Sequence, residues 1–433
     1  MVQHFIAGAA GADITPSVGV DLTGFGGRSG PSTSVHDDLA ARVLYLSDGE
    51  QGAFIVSLDI IGLGRDESLA LRSRVAEVGG VDAEAVVVAC SHTHSGPATH
   101  CIRFLGVPDE AYLTQLADAV VDCARQAVAA ATPAQMGWGC AAQGVGINRR
   151  QQRGKSMQIG VNQDGPVDSG IHVLRVENLA GSPVAHLFCH AAHAVTLGGD
   201  SLAISADWPG YARRAIESVA GGQALFLQGC CGNINCHERN TFTAAENQGH
   251  AVAEAVLHAV SGALRPEVSL ATASELLELP LLPPPSPEQC AQLLANAESA
   301  RAELLPDANR GHRWMADAHV AWAEELSRLG DGVRTMPYEV QALRVGDGVL
   351  VVLPGEVFIE YALQIAAASP FAATTVAAYA SDCPSYIPTA AAYAEGGYEV
   401  DNAIRYYGTT MPTPDMESRI LAATVRLLAR LGS

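Results

Sequence analysis

Positive charge is scarce in this sequence: 26 Lys and Arg face 46 Asp and Glu, for a net charge of −20. Such a chain repels a phosphate backbone at long range and offers no basic face, which sets nucleic acid aside as a partner. Long apolar runs are missing too. No segment approaches ~20 uninterrupted apolar residues, and MVQHFIAGAAGADITP at the N-terminus has no positively charged region ahead of an apolar stretch. The expectation is a cytoplasmic protein with no stable membrane association. A disulfide framework is also lacking. The ten cysteines are scattered along the chain and read as reduced, small apolar residues. Cys230, Cys231 and Cys236 form a CC-x4-C run that is no zinc-finger spacing and has no matching second half. The glycine-rich TGFGGRSGPS at 23–32 contains neither GxxxxGK[ST] nor GxGxxG, so it reads as a turn-rich loop near a site rather than a phosphate loop.

What is present is the makings of a large core. Hydrophobic residues make up 48% of the 433 residues and charged ones 17%, the balance of a compact globular protein. Strand-like blocks rich in Val, Leu, Ala and Ile fall at 42–47, 53–59, 85–90, 171–177, 183–189, 223–228, 266–278, 337–353 and 374–380. Between them, Tyr112, Leu113, Leu116, Val120, Val121 and Ala124 recur at helical spacing. Similar patterns cover 66–78, 208–219, 242–263, 356–367 and 415–430, the last with Thr413 as expected N-cap and Pro414 as first helical residue. The class is α/β, with mixed β-sheets flanked by helices. LPLLPPPSPEQ near 280 cannot continue a strand, because each proline removes a donor and restricts its neighbour. Beyond it, 286–328 reads as two helices parted near Pro306. The expected organisation is one domain over 1–433 with a helical hairpin inserted at 280–334.

Three strand ends run into polar, chemically capable residues. VVVACSHTHSGP at 86–97 places His92 and His94 just past an apolar strand, on the same side by alternation, where α/β proteins bind ligands. An H-x-H pair supplies two nitrogen ligands, half of a metal's coordination. FCHAAHAVTLGGDSLAISADWPGYA at 188–212 brings His190 and His193, between which spacing does not choose. Asp207 there either orients a ligand or its loop, or caps the following helix. VLVVLPGEVFIEYA at 349–362 sets Glu356 at a strand-to-helix junction, where it either serves a metal or offsets the helix dipole. Two His and a Glu form an open catalytic zinc arrangement with room for water.

SHTHSGP, HAVTLG, SADWPGYA, LPGE and SYIPTAAAYAEGGYEV, together with AGADITP at 10–16, resemble the catalytic domain of the neutral/alkaline (non-lysosomal) ceramidase family. These are zinc-dependent amidases that cleave N-acyl-sphingosine, and the resemblance spans nearly the whole chain. It implies Zn2+ held by His92, His193, Glu356 and Tyr386, with His94 as a catalytic histidine facing the substrate. Tyr386 is a residue that spacing alone does not select. The family carries a serine-bearing substrate segment where this chain has GCCGNINCHERN at 229–240, which implies a changed pocket. Arg149, Asn233 and Asn235 are the expected substrate-binding residues. The paired helices at 286–328 have no evident counterpart and are candidates for a lid.

The expected reaction is attack of a zinc-bound water on an amide (N-acyl) bond, in a soluble small or medium substrate rather than membrane ceramide. His94 stabilises the oxyanion or shuttles the proton to the amine. Ester or lactone cleavage on the same scaffold is an alternative, since acyl transfer does not name the leaving atom. A non-catalytic zinc-binding protein is another, although a structural zinc is normally closed by four Cys or His ligands.

Overall fold

The computed structural model describes residues 5–259, 264–330 and 332–432. Its largest sheet has eight strands in the order Gln223–Gln228, Pro183–His190, Gly170–Asn178, Thr132–Ala142, Ile6–Asp13, Ala40–Ser47, Gly52–Leu58, Val86–Cys90. The pair at each edge runs parallel and the interior is antiparallel, so the sheet is mixed. A second sheet orders Leu270–Pro280, Thr335–Val345, Gly348–Val352 and Ala373–Ala377, the last pair parallel.

The two sheets face one another. One apolar cluster joins Leu44, Ile55, Val87, Leu187 and Leu225 of the large sheet to Leu343, Leu350 and Val352 of the second. On its other side the large sheet is covered by helices Arg65–Gly79 and Glu110–Ala129 over Val43, Val56 and Val88, and by Asp207–Ala220 and Phe242–His258 over Phe188 and Phe226. Ile359–Ala368 and Met416–Gly432 cover the second sheet. Side-chain alternation accounts for this: strands buried on both faces read as the continuous apolar runs seen in VVVAC and ALFLQ. The result is four layers, helix–sheet–sheet–helix. Isolated bridges Ala89↔Ala380 and Gly229↔Ala377 tie the sheets together, each joining the end of one strand to a residue just past another.

Several boundaries differ from the sequence pattern. The block 337–353 is two strands, because Gly346, at φ +63°, and Asp347 fold it into a hairpin. The helix expected from 356 begins at Ile359, after a short strand Glu356–Val357, so Glu356 offsets no helix dipole. The last helix begins at Met416, and the Thr413 hydroxyl donates to Pro280 O at 3.2 Å instead of capping it. Positions 260–263 of the pattern at 242–263 lie outside the described residues, and its helix is Phe242–His258. Ile6–Asp13, Thr132–Ala142 and the hairpin Gly146–Arg153/Ser156–Asn162 are strands whose small or polar residues give little apolar signal. Beyond the prolines, Pro287–Ala302 starts with a Ser286/Gln289 capping box and packs along Arg310–Arg328, which Asn309 caps.

Candidate active site

Strand Val86–Cys90 ends against Tyr379, and the chain then turns so that His92 adopts φ +58°, a left-handed conformation that costs free energy in a non-glycine residue. Its backbone N–H is held by Ile60 O, and its ring Nδ1–H donates to Ile61 O at 2.7 Å. A carbonyl only accepts, so the proton is on Nδ1 and the Nε2 lone pair is free. His193 is fixed in the same way. Its Nδ1 lies 2.6 Å from Cys231 O and 3.1 Å from Ile234 O, and its Nε2 is 3.1 Å from Glu356 Oε2.

Glu356 arrives from the second sheet. Gly355, at φ +83°, takes a bend where a Cβ would lie 2.5 Å from Ser385 O, and Glu356–Val357 then pairs with Tyr386–Ile387. In that pairing Glu356 lies directly opposite Tyr386. Oε2 of Glu356 is also 3.7 Å from His92 Nε2 and 3.4 Å from the Tyr379 hydroxyl, while Oε1 accepts from Tyr407. The Tyr386 hydroxyl accepts from Arg149 at 3.0 Å. The fold thus brings His92, His193, Glu356 and Tyr386 close together.

His94 completes the group. Its Nε2 lies 3.1 Å from His92 Nε2, and the donor atoms of His92, His94 and His193 all fall within 4.8 Å of one another. Phe25 meets the His94 ring edge-on at 4.9 Å, and Nδ1 of His94 is buried without a hydrogen-bond partner. The glycine-rich loop thus lies over His94. A Cβ on Gly24 would come within 2.5 Å of His94 Cγ.

The electrostatics suit neutral imidazoles beside an ionised carboxylate. Burial lowers His92 to about 4 against the pull of Glu356, and lowers His193 as well. Burial, with His92 and His193 beyond it, takes His94 well below the ordinary range. Burial works against ionisation of Glu356, but His92, His193 and Arg149 outweigh it and bring the carboxyl to about 2. Burial raises the Tyr386 phenol well above its usual range, with Arg149 opposing and Glu356 adding to the rise. Neutral Nε2 lone pairs turned inward, a carboxylate and a phenol make a donor set that fits zinc. By geometry alone His94 also qualifies as a ligand.

Arg149 sits at the centre of the polar network. It donates to Glu399 at 2.9 Å and to Asn235 at 3.4 Å, and lies 3.4 Å from His193 Nε2, while Arg150 shares Glu399 from the other side at 2.8 Å. Asn235 therefore borders the group through Arg149. Asn233 does different work from that expected: its amide accepts from Ile359 N at 2.9 Å and donates to Glu360 at 2.9 Å, holding the start of a helix. His190 is also committed elsewhere, with Nδ1 donating to Gly170 O and Nε2 accepting from Val145 N. Asp207, at φ +55°, both accepts from Trp208 N and anchors Leu197 N in the loop after His193. The cysteines of 230–236 line the site from behind, Cys231 Sγ donating to Tyr379 and Cys236 Sγ to His193 O. Tyr379 and Tyr407 were missed because neither belongs to a motif.

Among solved structures, neutral ceramidase from Pseudomonas aeruginosa superposes with a TM-score of 0.73 at 18% identity, covering 99% of this chain and 74% of that one. A structure described as ceramidase complexed with C2 gives the same TM-score at 17% identity, covering 99% and 75%. At these identities the likeness is one of fold, and the span covered takes in the paired helices at 287–328. No curated protein sequence matches significantly. The family model for neutral/alkaline non-lysosomal ceramidase, N-terminal, matches residues 5–271, which contain His92, His94, Arg149 and His193. With more than half of the chain matched, this protein belongs to the neutral/alkaline non-lysosomal ceramidase family.

Proposed function

We propose that this chain hydrolyses the amide bond of a soluble N-acyl compound, at a zinc site formed by His92, His193, Glu356 and Tyr386, with His94 facing the scissile bond. The observation that carries this reading is the convergence of His92, His193 and Glu356 from three separate strand ends, with His94 beside them. When bound, zinc supplies Lewis acidity and brings the pKa of a water toward ~7. The chain supplies the rest. Ile61 O and Cys231 O lock the two ligand imidazoles in the tautomer that leaves Nε2 free. Arg149 holds the Tyr386 oxygen in place.

In the reaction an oxygen–carbon bond forms at the acyl carbon and the carbon–nitrogen bond breaks. The attacking water gives up a proton as it bonds, and His94 either stabilises the charge gathering on the acyl oxygen or carries that proton to the departing nitrogen. Its partly exposed ring is suited to meet a substrate, whereas His92 and His193 are wholly buried. The preference for a soluble substrate rests on 229–240, which differs from the family's serine-bearing segment. In it, Cys231 holds His193 and Asn233 holds a helix. No helix among the described residues is long and apolar enough to cross a membrane.

The test is metal analysis of the purified protein beside a hydrolysis screen of N-acyl amides, esters and lactones. Zinc near one equivalent with turnover of soluble amides is the expected result. Turnover confined to esters or lactones, or faster on long-chain ceramide, overturns the substrate reading. His193→Ala is expected to lose zinc. His94→Ala is expected to keep it and to lose ~10²- to 10⁴-fold in turnover; full turnover in that variant removes His94 from its role.

A further inference from the structure

Five arginines are buried among the described residues: Arg28, Arg72, Arg149, Arg150 and Arg213. Four of them face a carboxylate. Arg72 pairs with Glu339, Arg149 and Arg150 with Glu399, and Arg213 with Asp59. Arg28, only 5% exposed, has no acidic partner. It donates to three backbone carbonyls: Nη2 to His94 O at 2.5 Å, Nη1 to Thr23 O at 2.7 Å and Nε to Ser201 O at 3.2 Å. Carbonyl dipoles satisfy hydrogen bonds but do not cancel a full charge, and a buried charge without a counterion is costly. Burial alone lowers its pKa, to about 10, which leaves it a cation at neutral pH.

The place of this charge is informative. Arg28 is bonded to the residue expected to face the scissile bond, and Phe25, whose ring lies 5.2 Å from the guanidinium, also abuts the His94 ring. The three carbonyls take three of its five N–H groups, so Nη1 and Nη2 each retain one. Two N–H groups on the terminal nitrogens of a planar fork match the two oxygens of a carboxylate. In a chain of net charge −20 such an uncompensated cation is not a surface accident.

We propose that Arg28 is the receptor for a carboxylate on the substrate, so that the amides cleaved here are acidic ones of the N-acyl amino acid type. The identity of the ligand rests on the amidase reading above. The binding of an anion at Arg28 does not.

Two probes differing only in charge separate the cases: N-hexanoylglycine and its neutral counterpart N-hexanoylglycinamide, each given to the zinc-loaded full chain. The wild type is expected to favour the acid in kcat/KM. Arg28→Gln is expected to reduce that acid-over-neutral ratio by about 10- to 100-fold, mainly through KM, the scale of a charge-assisted hydrogen bond. Arg28→Lys, which keeps the charge without the fork, is expected to retain part of the preference. Equal use of both probes by the wild type, or a ratio unchanged in Arg28→Gln because both reactions fall alike, overturns the proposal. Thermal-shift titration with the same two compounds reads binding without turnover. If neither amide is cleaved, the amidase reading fails, yet a larger shift with the acid that Arg28→Gln abolishes still supports the carboxylate site. Equal shifts sink it. Should Arg28→Gln not fold, the wild-type comparison and Arg28→Lys decide the question.

Discussion

The two oxygens of Glu356 have different neighbours: Oε2 lies among the imidazoles, whereas Oε1 accepts from Tyr407. Tyr407 thereby fixes the rotation of the carboxylate and directs one oxygen inward. Removing such a supporting donor typically costs ~10- to 100-fold in metal affinity. Tyr407→Phe is accordingly expected to weaken zinc binding in a chelator competition, by the lower end of that range, with little change in the melting temperature of the metal-free protein. Unchanged affinity means that Oε1 needs no donor. At this scale the sequence was partly readable. His92 and His94 announce themselves as H-x-H behind an apolar strand, and PGE marks Glu356. Tyr407 and Arg28 carry no such mark, because a lone Tyr or Arg in a loop looks the same whether it faces water or a buried acceptor.

Among the elements, the glycine-rich loop and the helices show how tightly backbone positions are set around the site. Gly24 has φ +93° and lies against the His94 ring, so Gly24→Ala meets both backbone strain and a 2.5 Å contact. Reduced turnover with zinc retained is the expected outcome, read by metal analysis beside kinetics; normal turnover would show that the loop can retreat from His94 without cost. Gly249 lets Phe242–His258 approach Asp207–Ala220, and a Cβ there would lie 2.4 Å from Tyr211 Cβ and 2.7 Å from Trp208 O. Overpacking of this kind costs ~1–3 kcal/mol, so Gly249→Ala is expected to lower the melting temperature. Because Trp208 Nε1 donates to His193 O at 3.3 Å, a displaced helix should also lower zinc occupancy. The strands buried on both faces were legible as apolar runs. Ile6–Asp13 was not, since IAGAAGAD places Ala and Gly where helix Glu110–Ala129 packs close, a Cβ on Gly8 falling 2.1 Å from Ala127 O.

Over the whole molecule, acidity and burial combine into a pH dependence. Burial raises the Asp207 carboxyl from 3.8 to about 6, backbone and side-chain donors only partly opposing it, and burial raises Asp382 to about 6 as well. In both, the folded chain holds its proton at a pH where the unfolded chain has lost it. Their contribution to stability is therefore complete below about 3.8 and is lost as pH rises through about 6. For Asp207, fully buried, a shift of this size corresponds to about 3 kcal/mol at most. The buried site histidines, lowered from 6.5, add stability as pH rises through the same window, so the expected signature is a difference: in denaturant unfolding of the metal-free protein, the stability of the wild type relative to Asp207→Asn falls between about pH 4 and 6. An identical slope in that variant would assign the dependence to other groups, including the growing repulsion within a chain of net charge −20.

By itself the sequence determined the strand cores, most helices, and the polar residues that follow three strand ends, because each is written in periodicity or in a turn within a dozen residues. It also determined the net charge of −20. Only the tertiary structure decided which of those residues meet. His193 rather than His190 enters the group because Gly170 O and Val145 N hold the His190 ring elsewhere. Tyr386 meets Glu356 because two short strands 30 positions apart pair in one register. Arg28 reaches His94 O because a loop from the start of the chain folds over a strand end it does not adjoin in sequence. These are contacts between distant segments, set by the packing of two sheets face to face, and no local pattern encodes them.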